Sequence, residues 1–270
     1  MRVLFLVALL AQLMSASGPA QTYTPSTPLP RTTSAPALRA FATAREVEER
    51  FKIGLDAEAR GDWNAGVAEF NRIVALNPPE PKGSTAQYDL AIAYANLQRN
   101  DDAARALRAA IARDPEFLAA MANLIAVDLA RRDVGEARRV ADRYVALAPD
   151  AARALYSRGI VALQAGDAQT AREDFGKLLH GNPSYAVAHY DLALAEERLG
   201  RFDAAERELN SALALAPAYA RARFALGVVL LREGEHTAAR DAFARATADA
   251  SGDPALENIA AAMRDSIKVP

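Results

Sequence analysis

The sequence contains no cysteine among its 270 residues. Disulfides, thiolate metal sites, cysteine nucleophiles and a thioether-linked lipid anchor are therefore excluded. The three histidines, His180, His189 and His236, do not have the spacing of a zinc site on a helix. No glycine-rich phosphate loop, nucleophile elbow or dinucleotide fingerprint is present either. We therefore expect a protein that is not an enzyme and that holds no cofactor and no metal.

An excess of charge of one sign is also lacking. Lysine and arginine number 32 and aspartate and glutamate 34, which gives a formal net charge of −2. A domain that binds nucleic acid is usually clearly basic, so we expect no nucleic-acid partner. Aromatic residues make up only 7% of the chain, whereas 51% of its residues are hydrophobic. This composition, rich in alanine, provides a sizeable core and favours helix.

The first twenty residues differ from the rest of the chain. Arg2 precedes an apolar run over residues 3–13, which is followed by small residues as far as Ala20. This is the order of segments in a secretory signal peptide, and the run is short for a membrane span, which needs about 20 residues. We expect cleavage after Ala20, or after Ser17 as second choice, and a periplasmic or secreted protein with no remaining membrane span. The alternative is an uncleaved segment, residues 1–20, that anchors the protein.

Residues 21–36 hold four prolines among serines and threonines. Proline removes a helix donor and fixes φ, and small polar residues do not build a core. The sequence therefore predicts a flexible, extended linker between the signal segment and the folded part.

A period of 34 residues governs the remainder of the chain. Proline recurs with this period at Pro115, Pro149, Pro183 and Pro217, alanine at Ala103, Ala137, Ala171, Ala205 and Ala239, and glycine at Gly166, Gly200 and Gly234. The period divides the chain into the repeats 47–80, 84–117, 118–151, 152–185, 186–219 and 220–253, with three extra residues, 81–83, after the first. Each repeat shows helical spacing on both sides of a short turn, so we expect one helix pair per repeat.

Residues at fixed places within the repeat identify its type. The fifth repeat has Leu192, Ala193, Ala205, Ala212 and Pro217, and the sixth has Leu226, Gly227, Ala239, Phe243 and Ala246. This pattern resembles the tetratricopeptide repeat. The resemblance implies an all-α fold over residues 37–253, an α-solenoid of about six helix pairs that form a curved superhelix. Residues 254–270 are predicted to form a C-terminal capping helix.

The third repeat departs from the family pattern. Ile125 occupies a place that is normally small, and Tyr144 occupies one that is normally alanine. We therefore expect a looser helix pair in this repeat.

The resemblance also implies where a partner binds. In this family the first helices of the pairs line a concave groove that holds a protein or peptide segment. The residues predicted to face that groove are Tyr88, Asn96, Tyr156, Ile160, Gln164, Tyr190, Leu194, Arg198, Phe224, Val228 and Arg232. Three consecutive repeats, the fourth to the sixth, carry an aromatic residue at one of these places, so they are the first choice for the site. The alternative is that these aromatic residues pack between neighbouring helices.

Two functions follow from these features. The first is a non-catalytic scaffold for protein–protein interaction in the cell envelope, which binds a peptide or protein segment in its groove. The second is a subunit of an envelope assembly machine for pilus or outer-membrane biogenesis, although the lack of a lipid-attachment cysteine counts against it.

Overall fold

The computed structural model describes residues 34–268, which form 13 α-helices and no strand. The predicted signal segment, residues 1–20, and residues 21–33 of the predicted linker lie outside the described residues. The helices are α1 (Ala35–Ala59), α2 (Trp63–Ala75), α3 (Lys82–Asn96), α4 (Asn100–Arg113), α5 (Leu118–Ala130), α6 (Val134–Leu147), α7 (Ala152–Ala165), α8 (Ala168–Gly181), α9 (Ala186–Arg198), α10 (Phe202–Leu215), α11 (Ala220–Arg232), α12 (His236–Asp249) and α13 (Pro254–Ser266).

These helices are divided between two compact units. Unit 1 ends at Leu147 and holds α1 to α6, and unit 2 begins at Ala148 and holds α7 to α13. In both units two helices of one repeat pack against each other, and the second helix also packs on the first helix of the next repeat in that unit. The predicted all-α class with six helix pairs is therefore confirmed. The extra residues 81–83 lead into α3, which begins at Lys82.

The turn inside each pair has the same backbone conformation in all six repeats. Its left-handed residue is glycine in four of them, with φ between +73° and +83°, as at Gly166 and Gly200. Gln98 and Arg132 take the same place in the second and third repeats, with φ of +60° and +62°. Glycine adopts this region without the clash that a Cβ atom causes, so it is the common residue at the end of a helix.

The two helices of a pair meet through side chains of complementary size. At the eighth and twenty-fourth places of the repeat the residues are Gly54 and Phe70, Ala91 and Leu107, Ile125 and Ala141, Gly159 and Phe175, Ala193 and Leu209, and Gly227 and Phe243. A Cβ atom on Gly159 would lie 2.6 Å from Phe175 Cε1, so the phenyl ring occupies the space that a side chain would need. Where the first helix has a larger residue, the second has a smaller one. Interiors are packed to nearly constant density, and this exchange of volume preserves it.

The same exchange is seen in the third repeat, where α5 and α6 contact each other less extensively than the helices of any other pair, in agreement with the looser pair expected. Ile125 and Tyr144 are 1% and 4% exposed, and Ala141 is fully buried. The large Ile125 is compensated by the small Ala141, which stands where three other repeats have phenylalanine. Nearly all of α5 is buried as well. Both departures from the family pattern are therefore accommodated inside a packed pair.

The last pair is covered by α13, as predicted. The Asp253 side chain caps this helix by accepting a 3.2 Å hydrogen bond from the Leu256 amide. Ala260 is fully buried, and Ile267 joins the apolar cluster around Phe243 and Leu230. The helix therefore shields apolar surface that the sixth repeat would otherwise expose.

Candidate functional site

The first helices of unit 2 lie next to one another. α9 contacts both α7 and α11, and these contacts are more extensive than any between the second helices α8, α10 and α12. The first helices are therefore on the inner side of the bend within this unit. We call the surface formed by α7, α9 and α11 the inner face. It carries nine of the eleven residues that the sequence predicts for a groove.

Polar residues in the last turns of the first helices form one edge of the inner face. Gln164, Arg198 and Arg232 are all exposed there. The Arg198 Nη1 atom donates a hydrogen bond to the carbonyl oxygen of Leu163, which ties the end of α9 to α7. Arg232 makes no ion pair with any residue that the structure describes. The inner face therefore presents two cationic side chains to solvent.

Apolar side chains lie one turn further into the same helices. Leu194 and Val228 are half-buried, whereas Ile160 is 8% exposed. Phe224 is half-buried and packs on Phe243, with 5.2 Å between the ring centroids. These residues leave apolar surface beside the arginines, so the face combines apolar and cationic groups.

Two of the predicted groove aromatics are packing residues. Tyr156 is 6% exposed and its ring lies 5.6 Å from that of Tyr185, and Tyr190 is 5% exposed and lies 5.2 Å from Tyr219. At these two positions the structure shows the arrangement of the alternative interpretation, in which the aromatic ring packs between helices. They support the inner face from beneath.

A buried carboxyl group joins the fourth and fifth repeats. The Tyr156 hydroxyl donates a 3.0 Å hydrogen bond to Asp191 Oδ2, and Asp191 is 6% exposed. Burial raises the pKa of Asp191 to about 7, although the hydrogen bond from Tyr156 lowers it in part. Burial likewise raises the pKa of Tyr156 and Tyr190 well above the ordinary value, so both hydroxyls stay neutral. A fixed network of polar groups therefore lies under the inner face.

Sequence reasoning missed Asp191, Tyr185 and Tyr219. One signal could have found the two tyrosines, since they are 34 residues apart and close the fourth and fifth repeats. Within the repeat, Asp191 occupies the position directly after that of the predicted groove aromatics. It is also occupied by Asp89 and Asn123, which are buried as well.

Unit 1 has two related junctions between its repeats. Between the second and third, the Asn123 amide nitrogen donates a 3.1 Å hydrogen bond to the hydroxyl of Tyr88, which is half-buried. Between the first and second, Phe51 stands where the second, fourth and fifth repeats have tyrosine. Burial raises the pKa of Asp89 to about 7 and, together with the nearby Asp89, that of Glu58 to about 8. Asn96, the remaining predicted groove residue, is exposed at the end of α3.

The histidines have structural or surface positions. His189 is held through both ring nitrogens, by Glu208 Oε2 at 2.7 Å and by the carbonyl oxygen of Pro183 at 2.9 Å. His180 and His236 are exposed. Within residues 34–268 no three acidic or histidine side chains are placed to hold a metal ion.

Two further features concern ligands and membranes. A depression beside Tyr219, lined by Val187, Pro217 and neighbouring alanines, is shallow and open to solvent. Its apolar lining offers contact area but few polar groups to orient a small molecule. No helix of the described residues combines the length and the apolar character needed to cross a membrane.

Comparison with known families agrees with this geometry. A model of the tetratricopeptide repeat matches residues 51–116, 88–127, 124–186 and 190–254, and a second model of that repeat matches residues 162–214. The chain belongs to the tetratricopeptide repeat family. Proteins with this fold are generally non-catalytic scaffolds that bind protein or peptide partners. A comparison with curated proteins finds no match.

Solved structures share the fold. A tetratricopeptide repeat protein from Parabacteroides merdae has a TM-score of 0.67 and 16% identity, over 82% of this chain and 98% of that one. The protein MamA from Desulfovibrio magneticus has a TM-score of 0.59 and 19% identity, over 63% and 97%. Another MamA structure has a TM-score of 0.57 and 21% identity, over 64% and 95%. At these identities the likeness shows the solenoid fold alone.

Proposed function

We propose that this protein is a scaffold in the cell envelope and that the inner face of unit 2 binds a protein or peptide segment. The observation that supports the inner face is the presence of exposed Arg198 and Arg232 beside half-buried Leu194 and Val228. A segment of alternating apolar and acidic residues would match it, because its carboxylates reach the guanidinium groups while its apolar side chains cover the aliphatic ones. The envelope location rests on the composition of residues 1–20.

The buried network under this face favours binding without rearrangement. Tyr156, Tyr190 and Asp191 hold the first helices at fixed spacing, so little conformational entropy is lost when a segment binds. Replacing these buried residues would disturb the fold, so a test of binding must use the exposed ones.

Selection from a displayed peptide library tests the proposal. Peptides selected on the wild-type protein should be rich in acidic and apolar residues, and they should bind Arg198→Glu/Arg232→Glu at least about tenfold more weakly, because two charge-assisted contacts become repulsive. The matched control is Arg207→Glu/Arg240→Glu, which makes the same charge change on exposed residues of α10 and α12. This control should bind the peptides like the wild type.

Two results would overturn the proposal. One is selected peptides that bind both double variants equally well. The other is a set of selected peptides without acidic residues, since these could not use the arginines. A circular dichroism spectrum of each variant checks that helix content is unchanged.

A further inference from the structure

The first helix differs from the other twelve described helices in its length and in its exposed surface. α1 has 25 residues, whereas its partner α2 has 13. Ile53 in α1 is 44% exposed, but residues at the same place of later repeats, such as Leu90 and Leu124, are 5% and 2% exposed. Leu38 and Leu55, each 48% exposed, lie on the same helix. Apolar surface that later repeats bury is therefore uncovered on α1.

The side of α1 that faces away from α2 carries a regular stripe. Val47, Gly54 and Ala57 form the buried side of the helix. Seven exposed residues, separated alternately by four and three positions, lie on the opposite side. We call them the outer stripe: Leu38, Ala42, Arg45, Glu49, Lys52, Asp56 and Ala59. Alternate steps of four and three keep these residues on one side of the helix along its length.

The charges of the outer stripe alternate in sign and are left unpaired by the described part of the chain. Arg45, Glu49, Lys52 and Asp56 form no ion pair with any residue from 34 to 268. Their neighbours differ, since Arg50 binds Glu46 and Glu69, at 2.7 and 3.0 Å respectively. The outer stripe thus offers two positive and two negative groups to a partner, and no net charge.

This order of charges is complementary to itself when reversed. If two copies of α1 lie antiparallel with a two-fold axis between Glu49 and Lys52, then Glu49 faces Lys52 of the second copy. Arg45 faces Asp56 of the second copy, and Ala42 faces Ala59, so small residues meet at either end. In a parallel arrangement each charge would face its own like. The pattern therefore favours the antiparallel pair, and a two-fold axis gives a closed dimer.

We propose that the outer stripe of α1 binds the outer stripe of a second copy of this chain in antiparallel orientation. A partner of strongly acidic or basic character would meet as many repulsive as attractive groups there. Exposed ion pairs contribute little each and are screened by salt, so the dimer is weak and dissociates as ionic strength rises.

Charge-reversal variants of the purified protein test this in sedimentation velocity runs at low salt. The wild type should dimerise with increasing concentration. In Glu49→Lys and in Lys52→Glu, like charges face each other twice across the two-fold axis, so each variant alone should dimerise about tenfold more weakly or worse. The double variant Glu49→Lys/Lys52→Glu restores opposite charges and should dimerise like the wild type. Arg207→Glu, at an exposed residue of α10, is the control for a charge reversal away from α1.

Mixing the two single variants gives the sharpest readout. Glu49→Lys and Lys52→Glu carry opposite charges at both facing places, so differently tagged copies should form a mixed dimer more strongly than either variant dimerises alone. The proposal is overturned if the wild type stays monomeric at every concentration. It is also overturned if the single variants dimerise unchanged, or if their mixture gives no mixed dimer.

Discussion

In the third and fourth repeats, the large side chain that fills the space between the two helices comes from opposite helices of the pair. In the third, the first helix supplies Ile125 and the second supplies Ala141, whereas in the fourth the first helix supplies Gly159 and the second Phe175. All these residues are buried, and both pairs are closed. The comparison teaches that the family pattern constrains the combined volume at these two places rather than the residue at either one.

Removing the large member of the fourth pair should have the largest effect. Phe175→Ala leaves a cavity between α7 and α8, because Gly159 has no side chain to fill it, and should lower the free energy of unfolding by about 3–5 kcal/mol. Urea denaturation followed by circular dichroism measures this loss. Gly159→Ile/Phe175→Ala transplants the pair of the third repeat and should recover most of the stability. Equal stability of the single and double variants would contradict the volume rule.

Adding volume to the fourth pair should have a smaller effect. Gly159→Ala places a methyl group 2.6 Å from a ring atom of Phe175, so the ring must shift, at a cost of about 1–3 kcal/mol. The compensating variant Gly159→Ala/Phe175→Leu has the residues of the second and fifth repeats and should be more stable than Gly159→Ala alone. If Phe175→Leu instead adds its own cost to that of Gly159→Ala, the two places are independent and the comparison fails.

The hydrogen bonds that Tyr156 and Tyr88 make to the following repeat should differ in how their contribution to stability depends on pH. Tyr156→Phe removes the hydroxyl that donates to buried Asp191, which should cost about 1–3 kcal/mol. The folded pKa of Asp191, about 7, is raised above its ordinary value of 3.8. Its contribution to stability is therefore fully present below pH 4, and it is lost as the pH rises through 7. The hydrogen bond from Tyr156 lowers the pKa of Asp191, so it stabilises the ionised carboxylate most. The loss of unfolding free energy on Tyr156→Phe should therefore be greater at pH 8 than at pH 5.

Two variants serve as controls for this pH effect. Asp191→Asn has no charge to titrate, so it should lose less stability than the wild type between pH 5 and pH 8. Tyr88→Phe acts on the neutral Asn123 of the third repeat, and the change that it causes in unfolding free energy should be the same at both pH values. Urea midpoints at the two pH values measure each case. A pH-independent effect of Tyr156→Phe would show that Asp191 does not titrate in this range.

The fold was predictable because the repeat period leaves many independent marks. Pro149, Ala171 and Gly166 each recur at 34 residues, and the helix pairs and the turns between their helices follow from that period. The third repeat was predictable in part, since the fewer contacts between its helices agree with a looser pair but the burial of Ile125 does not follow from the family pattern. Ile125 was judged against a family pattern for one place, whereas packing depends on two places that are 16 residues apart.

The candidate site was predictable only in outline. The exposed residues Gln164, Arg198 and Arg232 are at the surface as their repeat position indicates. The burial of Tyr156 and Tyr190 could not be read from the chain, because one repeat position faces both the groove and the neighbouring helix. Which of the two an aromatic ring occupies depends on the spacing of the first helices.

The size pairs also bear on how such a chain can change over time. Their order begins with glycine–phenylalanine and alanine–leucine in the first two repeats, and the same order begins again at the fourth. The sixth repeat breaks this order, since it has the glycine–phenylalanine pair where the third has isoleucine–alanine. Recombination that exchanges single helices between the first, fourth and sixth repeats preserves the volume of a pair. The same exchange with the third repeat joins two large residues or two small ones, and selection would remove the product.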